Sequence, residues 1–262
     1  MTRAAEELEA LLRICAQLRD PHAGCPWDRA QTLATIAPHT IEEAYELADA
    51  IAMAEPARIR DELGDLLFQV LLDSQLAREQ EWFEFADVAA GLREKLVRRH
   101  PHVFAQKGTS DVAALARDWD AHKAAERTAA GLGGALAGVP KALPALTRAA
   151  KLGRRAAAAG FDWPDEGAVR PKISEELRET ESAIEAGDSV AIAEELGDAL
   201  FALVNWARLL HVDPESALRA ANEKFERRFA AMETLIAARG LNVTDLTLPV
   251  WEELWNAAKA AE

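Results

Sequence analysis

From Arg3 to Leu18 apolar residues recur at intervals of three and four, which predicts an amphipathic helix. Ala, Leu, Glu and Arg dominate the other long segments, β-branched alternation is scarce, and nearly all of them read as helix. Pro21 to Asp28 is punctuated by Pro and Gly and contains Cys25-Pro26-Trp27-Asp28. Thr40 with Glu43 forms a capping box predicted to open a helix running to about Ala54, which Pro56 interrupts. A second helix continues to about Glu79, and a third spans Phe85 to Arg99, ending before Pro101. After Asp65, the run Leu66 to Leu72 is apolar nearly all round, as is Ala199 to Val204 after Asp198, and both predict burial.

The pattern repeats. Pro38 to Leu72 recurs at Pro171 to Asn205 without a gap, 133 residues later, with thirteen of 35 positions identical. Phe161-Asp162-Trp163-Pro164 stands where Cys25-Pro26-Trp27-Asp28 stood, Glu223 to Arg228 matches Glu94 to Arg99, and Trp255 with Lys259 echoes Trp119 with Lys123. The Gly- and Pro-rich stretch 129–144 reads as a linker. The expected organisation is all-α, a tandem repeat of two helical bundle domains at 1–128 and 145–262.

Composition narrows the function. Half of the 262 residues are hydrophobic, and the net charge of −14 argues against a protein that grips nucleic acid by its backbone. Two cysteines ten residues apart suggest neither a zinc site nor a disulfide framework, and a reducing cytoplasm is the expected location. Met1 to Arg13 lacks an apolar signal core, and no apolar stretch is long enough to span a membrane.

What the repeat carries is acid. Glu42, Glu43, Glu46, Glu62 and Asp65 match Glu175, Glu176, Glu179, Glu195 and Asp198, an E-E-x-x-E followed by E-x-x-D in each copy. Positions i, i+3 and i+4 share a helix face, where like charges repel unless something neutralises them. A single E-E-x-x-E is most simply a solvated helix face, but a doubled set at fixed spacing points to a hard divalent cation, Mg²⁺ with Mn²⁺ as a substitute, and so to phosphate chemistry. Lys224 and Arg228 lie at i and i+4, as do Lys95 and Arg99, and could clamp a polyphosphate. Trp27 and Trp163 precede the acidic helices and are candidates to line a pocket. None of the six histidines lies three residues after a Glu, which counts against a ferritin-like di-iron bundle.

The arrangement E-E-x-x-E … E-L-G-D, preceded by Cys-Pro-Trp-Asp and followed by Lys-x-x-Arg-Arg-His-Pro-His-Val-Phe, resembles the two-domain form of the MazG family of all-α nucleoside triphosphate pyrophosphohydrolases. The likeness covers essentially the whole chain. It implies Mg²⁺-dependent cleavage of nucleoside triphosphates to monophosphate and pyrophosphate, in the housekeeping of nucleotide pools, by a homodimer. Carried over residue by residue, it assigns Mg²⁺ to Glu176, Glu179, Glu195 and Asp198, with Glu175 beside them as a further ligand or water-orienting base. It gives Lys172, Lys224 and Arg228 to the phosphates, Trp255 to the nucleotide, and Glu43, Glu46, Glu62 and Asp65 to the first repeat's metal. Position 39 is His where position 172 is Lys, so the second repeat is expected to be the main catalyst. Two alternatives stand beside this: a non-catalytic nucleotide- or metal-binding regulator acting through helical dimerisation, and a different Mg²⁺-dependent phosphohydrolase on the same bundle.

Overall fold

The computed structural model describes residues 2–104, 131 and 133–261, and the chain divides into two compact units, 1–122 and 123–262. Among the described residues there is no strand. The Trp119 and Lys123 match and the opening residues of the 129–144 linker lie outside the described residues.

The first unit contains α1 (Arg3–Leu18), α2 (Pro26–Ala30), α3 (Leu33–Ala52), α4 (Pro56–Glu79), α5 (Phe85–Arg99) and α6 (Pro101–Phe104). Helices α3 and α4 form a hairpin, and α1 packs on α4. The core sits where they meet, with Ile36, Leu72 and Leu76 buried against Leu33 and Phe68. Gly24 makes the tight return from α1 possible, because a Cβ there would lie 2.5 Å from the Leu18 carbonyl oxygen.

Helix α3 begins two turns earlier than the expected Thr40 cap. Thr32 caps it instead: Thr35 N–H donates to Thr32 Oγ1 at 3.2 Å, and Thr32 N–H to Thr35 Oγ1 at 2.8 Å. A reciprocal cap of that quality carries the helix through Pro38, which sits in its interior and leaves the Ala34 carbonyl without its usual i+4 donor.

The second unit contains α7 (Ala145–Ala158), a 3₁₀ turn (Gly167–Val169), α8 (Arg170–Ala186), α9 (Ser189–Leu209), α10 (Pro214–Ala238), a 3₁₀ turn (Val243–Asp245) and α11 (Leu248–Ala260). The hairpin α8–α9 repeats α3–α4, α7 packs on α9 as α1 does on α4, and α10 pairs with α11. Here Pro171 falls in the first turn, where a proline fits without loss. The hairpin turn needs a left-handed residue, Gly187 at φ 68° here and Ala54 at φ 54° in the first unit, again 133 positions apart.

Each unit ties its first helix to the end of its second acidic helix by one forked Arg–carboxylate pair, with the polarity reversed. Arg19 Nε lies 2.8 Å from Glu79 Oε1, and the same guanidinium donates to the carbonyls of Asp28 and Gln31. In the second unit Arg208, on α9, donates to both oxygens of Asp162, which follows α7.

The expectation that α4 and α9 are apolar all round and therefore buried is corrected. Leu63, Leu67 and Val70 on α4 are 51%, 39% and 39% exposed, and their counterparts Leu196, Leu200 and Leu203 on α9 are 47%, 54% and 42% exposed. Each helix buries one stripe in its hairpin and presents a second apolar stripe outward.

Candidate metal and nucleotide site

In the second unit α8 delivers Glu175, Glu176 and Glu179, and α9 delivers Glu195 and Asp198. The hairpin brings carboxylate oxygens of Glu176, Glu179 and Glu195 within 4.8 Å of one another. Glu176 is 4% exposed, deep enough that an uncompensated charge would be costly. It is compensated by Lys172, whose Nζ lies 2.8 Å from Glu176 Oε1 and 2.8 Å from Glu175 Oε1. The ammonium holds the Glu176 carboxyl below the ordinary range, and hydrogen bonds to Glu175 and Glu176 push Lys172 up. Glu195 moves the other way, raised by desolvation and then by Glu179, Glu176 and Asp198. Lys172 thus compensates Glu176, while Glu195 keeps only carboxylate neighbours among the causes of its shift.

The first unit builds the same thing from α3 and α4. Oxygens of Glu43, Glu62 and Asp65 lie within 4.8 Å of one another. Burial raises Glu43, with further contributions from Asp65, Glu46, Glu62 and Glu42. At its rim His39 Nδ1 is 3.5 Å from Glu42 Oε2, and the Arg58 guanidinium pairs with Glu62, Nε to Oε1 at 3.3 Å. Trp27 is 53% exposed and stands edge-on to His39, ring centroids 6.0 Å apart, at the mouth of this hairpin. In each unit the fourth expected ligand, Glu46 or Asp198, is exposed and stands just outside the tight three, close enough to raise its neighbours.

The donor set suits a hard cation. It consists of carboxylate oxygens alone, three within a few ångströms, with no sulfur or imidazole among them.

Of the expected nucleotide contacts, the structure joins two: the Arg228 guanidinium carbon lies 5.4 Å from the Trp255 ring centroid. Lys224 is exposed on the same helix, α10. Beside them is a cleft of about 580 Å³ that sequence reasoning missed, lined by Phe225, Phe229, Met232, Trp251, Trp255 and Asn256 among others. Phe225 packs on Trp255 at 5.7 Å and Phe229 on Trp251 at 6.3 Å between ring centroids. The signal was present as two aromatic pairs spaced by four, Phe225 with Phe229 and Trp251 with Trp255, which places each pair on one helix face.

The comparisons agree with this geometry. The MazG nucleotide pyrophosphohydrolase domain matches residues 31–104 and 165–231, so each match contains one acidic hairpin. The chain is 46% identical over 258 residues to the nucleoside triphosphate pyrophosphohydrolase of Escherichia coli K12, covering 98% of both proteins. It is 41% identical over 262 residues to the nucleoside triphosphate pyrophosphohydrolase/pyrophosphatase MazG of Thermotoga maritima, covering 100% of this chain and 99% of that protein. Similarity to the Bacillus subtilis protein YabN, at 42% identity over 257 residues, covers 98% of this chain and 52% of that longer one. With two matched domains, two copies of the carboxylate hairpin and near-complete overlap with these relatives, the chain belongs to the MazG nucleotide pyrophosphohydrolase family.

Proposed function

We propose that this chain hydrolyses nucleoside triphosphates, ribo or deoxy, to the monophosphate and pyrophosphate, using Mg²⁺ held by its carboxylate hairpins. The observation that carries the reading is the paired convergence of Glu176, Glu179 and Glu195, and of Glu43, Glu62 and Asp65, each three drawn within 4.8 Å by one helical hairpin. Glu176, Glu179 and Glu195, with Asp198 adjoining, hold the metal in the second repeat, and Glu43, Glu62 and Asp65, with Glu46 adjoining, hold it in the first. Bound there, a divalent ion neutralises the triphosphate and lowers the pKa of a coordinated water.

The protein's own groups do the rest. Lys172 reaches Glu175 and Glu176 on a flexible stem, and can turn to a phosphate oxygen once those carboxylates are otherwise neutralised. Glu175, exposed at the rim and freed of Lys172, is placed to accept a proton from the attacking water. Arg228 and Lys224 meet the phosphates, and Trp255 the nucleoside. Because Lys172 is a permanent cation where the first repeat has His39, the second repeat is the principal catalyst.

The outward stripes Leu63, Leu67, Val70 and Leu196, Leu200, Leu203 repeat at matching positions, and a second copy of this chain covers them. The free thiols of Cys15 and Cys25 suit a cytoplasmic protein, and no helix among the described residues is long and apolar enough to cross a membrane. Housekeeping of nucleotide pools is the role such an activity serves. Phosphorus NMR of a reaction with ATP and Mg²⁺ tests the chemistry: AMP and pyrophosphate in equal amounts support it, whereas ADP with orthophosphate overturns it.

A further inference from the structure

The two hairpins differ one helical turn inward from their carboxylates. In the first unit, Thr40 lies three residues before Glu43 on α3, and Gln69 lies four after Asp65 on α4, so both continue the face that carries the acids. The hairpin runs antiparallel, and the level is bracketed on both sides: the Glu43, Glu62 and Asp65 oxygens meet above it, and Ile36 packs with Leu72 below it. Thr40 and Gln69 therefore face the same space beneath the acid cluster. Gln69 is 6% exposed, yet its Oε1 has no hydrogen-bond partner among the described residues, and neither has the buried Thr40 Oγ1. A turn deeper on α4, Asp73 Oδ1 is in the same condition. Buried polar atoms left unpaired are costly, and a small cluster of them beside a ligand site calls for a partner. In the second unit the equivalent positions are Ile173, Ala202 and Trp206, which carry no such need at the first two.

We propose that Thr40 and Gln69 form the nucleoside-selecting floor of the first repeat, accepting hydrogen bonds from N–H or O–H groups of a bound nucleotide. The inference rests on the reading that Glu43, Glu62 and Asp65 hold the metal and its phosphates in that repeat. The chemistry follows from the atoms: Gln69 Oε1 accepts, as does the Asp73 carboxylate oxygen behind it, while the Thr40 hydroxyl can accept or donate, so a ligand that satisfies the group must bring at least one donor. A base with ring or exocyclic N–H groups, or a sugar with its hydroxyls, does so; a bare polyphosphate does not. A site built to hydrogen-bond a ligand edge rejects analogues that lack it, whereas an apolar wall discriminates weakly. The first repeat is thus the selective one and the second the permissive one.

The test is calorimetric binding to full-length protein carrying Glu179→Ala, which disables the second repeat's cluster. The probes are α,β-imido triphosphates of the four bases in ribo and deoxyribo forms, and inorganic tripolyphosphate, all with Mg²⁺. Gln69→Met keeps the side-chain volume without the amide, and Thr40→Ile with Gln69→Ala installs the second repeat's residues. The expected result is a loss of tenfold or more in nucleotide affinity, a flattening of base or sugar preference to within twofold, and tripolyphosphate affinity changed less than twofold. Equal losses for nucleotides and tripolyphosphate, or no loss for either, overturn the proposal. So does a Glu179→Ala protein that fails to bind nucleotide while the wild type still turns over, which leaves the proposed reaction intact. Absence of turnover in the wild type is the separate failure of that reaction.

Discussion

Lys172 Nζ sits 2.8 Å from the carboxylate of Glu176, so the cation expected at a phosphate is engaged with one of the residues proposed to hold the metal. One ammonium cannot neutralise this cluster and grip a phosphate at full strength simultaneously. On the proposed reading metal and lysine would compete for Glu176, and a bound metal would leave the lysine free to turn toward the substrate. Replacing Lys172 with Met should separate the two roles. Divalent-cation affinity, read by calorimetry without nucleotide, should rise severalfold because a positive neighbour is gone. KM for a triphosphate should rise roughly tenfold or more, the worth of one charge-assisted hydrogen bond. A variant that loses metal affinity would show that Lys172 organises the carboxylates rather than competing for them.

The hairpin turns offer a stability test. Ala54 adopts φ 54° where Gly187 adopts φ 68°, and a Cβ is disfavoured in that left-handed region. Ala54→Gly should therefore stabilise the first unit, and Gly187→Ala destabilise the second, each by about 1 kcal/mol in denaturant unfolding. Opposite signs are the signature; equal signs would mean that the turns are not equivalent.

These turns also show what the sequence made legible. The hairpins, the acids they carry and their 133-residue offset follow from periodicity and repetition alone, because helix spacing fixes which residues share a face. The start of α3 did not. Thr40 with Glu43 and Thr32 with Thr35 both offer capping chemistry, yet the reciprocal Thr32–Thr35 bonds form and Pro38 is carried inside the helix. Leu66 to Leu72 records how many faces are apolar, not what covers each, so burial read from composition outran what one hairpin provides. The spacing of Lys172 and Glu176 at i and i+4 permits their pairing, and does not by itself distinguish it from the phosphate contact that the resemblance implies.

Acid should act through the forked pairs. Hydrogen bonding to Arg19 lowers Glu79, and hydrogen bonding to Arg208 lowers Asp162. A folded value below the unfolded one contributes stability that is complete above the unfolded pKa, about 4, and is lost as pH falls through the folded value. Glu79→Gln and Asp162→Asn should each cost about 1–3 kcal/mol at pH 7, with the gap to wild type closing toward pH 3. A gap independent of pH would assign the loss to packing.

The outward stripes predict association. Leu200→Asp places a charge in the centre of the α9 stripe, and Leu67→Asp does the same on α4. Sedimentation should find the wild type as a dimer and at least one variant as a monomer with unchanged helicity. A wild type that sediments as a monomer at micromolar concentration would refute the second-copy assignment.

The central claim is a metal-dependent pyrophosphohydrolase whose second repeat does most of the chemistry. Product analysis of the purified protein with mixed ribo- and deoxyribonucleoside triphosphates and Mg²⁺ tests it most directly, run beside Glu179→Ala and Glu46→Ala. Monophosphate and pyrophosphate should form with wild type and Glu46→Ala and fall at least a hundredfold with Glu179→Ala, on the scale of losing several kcal/mol of transition-state stabilisation. Activity that survives Glu179→Ala and vanishes in Glu46→Ala would move the chemistry to the first repeat, and no turnover of any triphosphate by folded wild type would contradict the account outright.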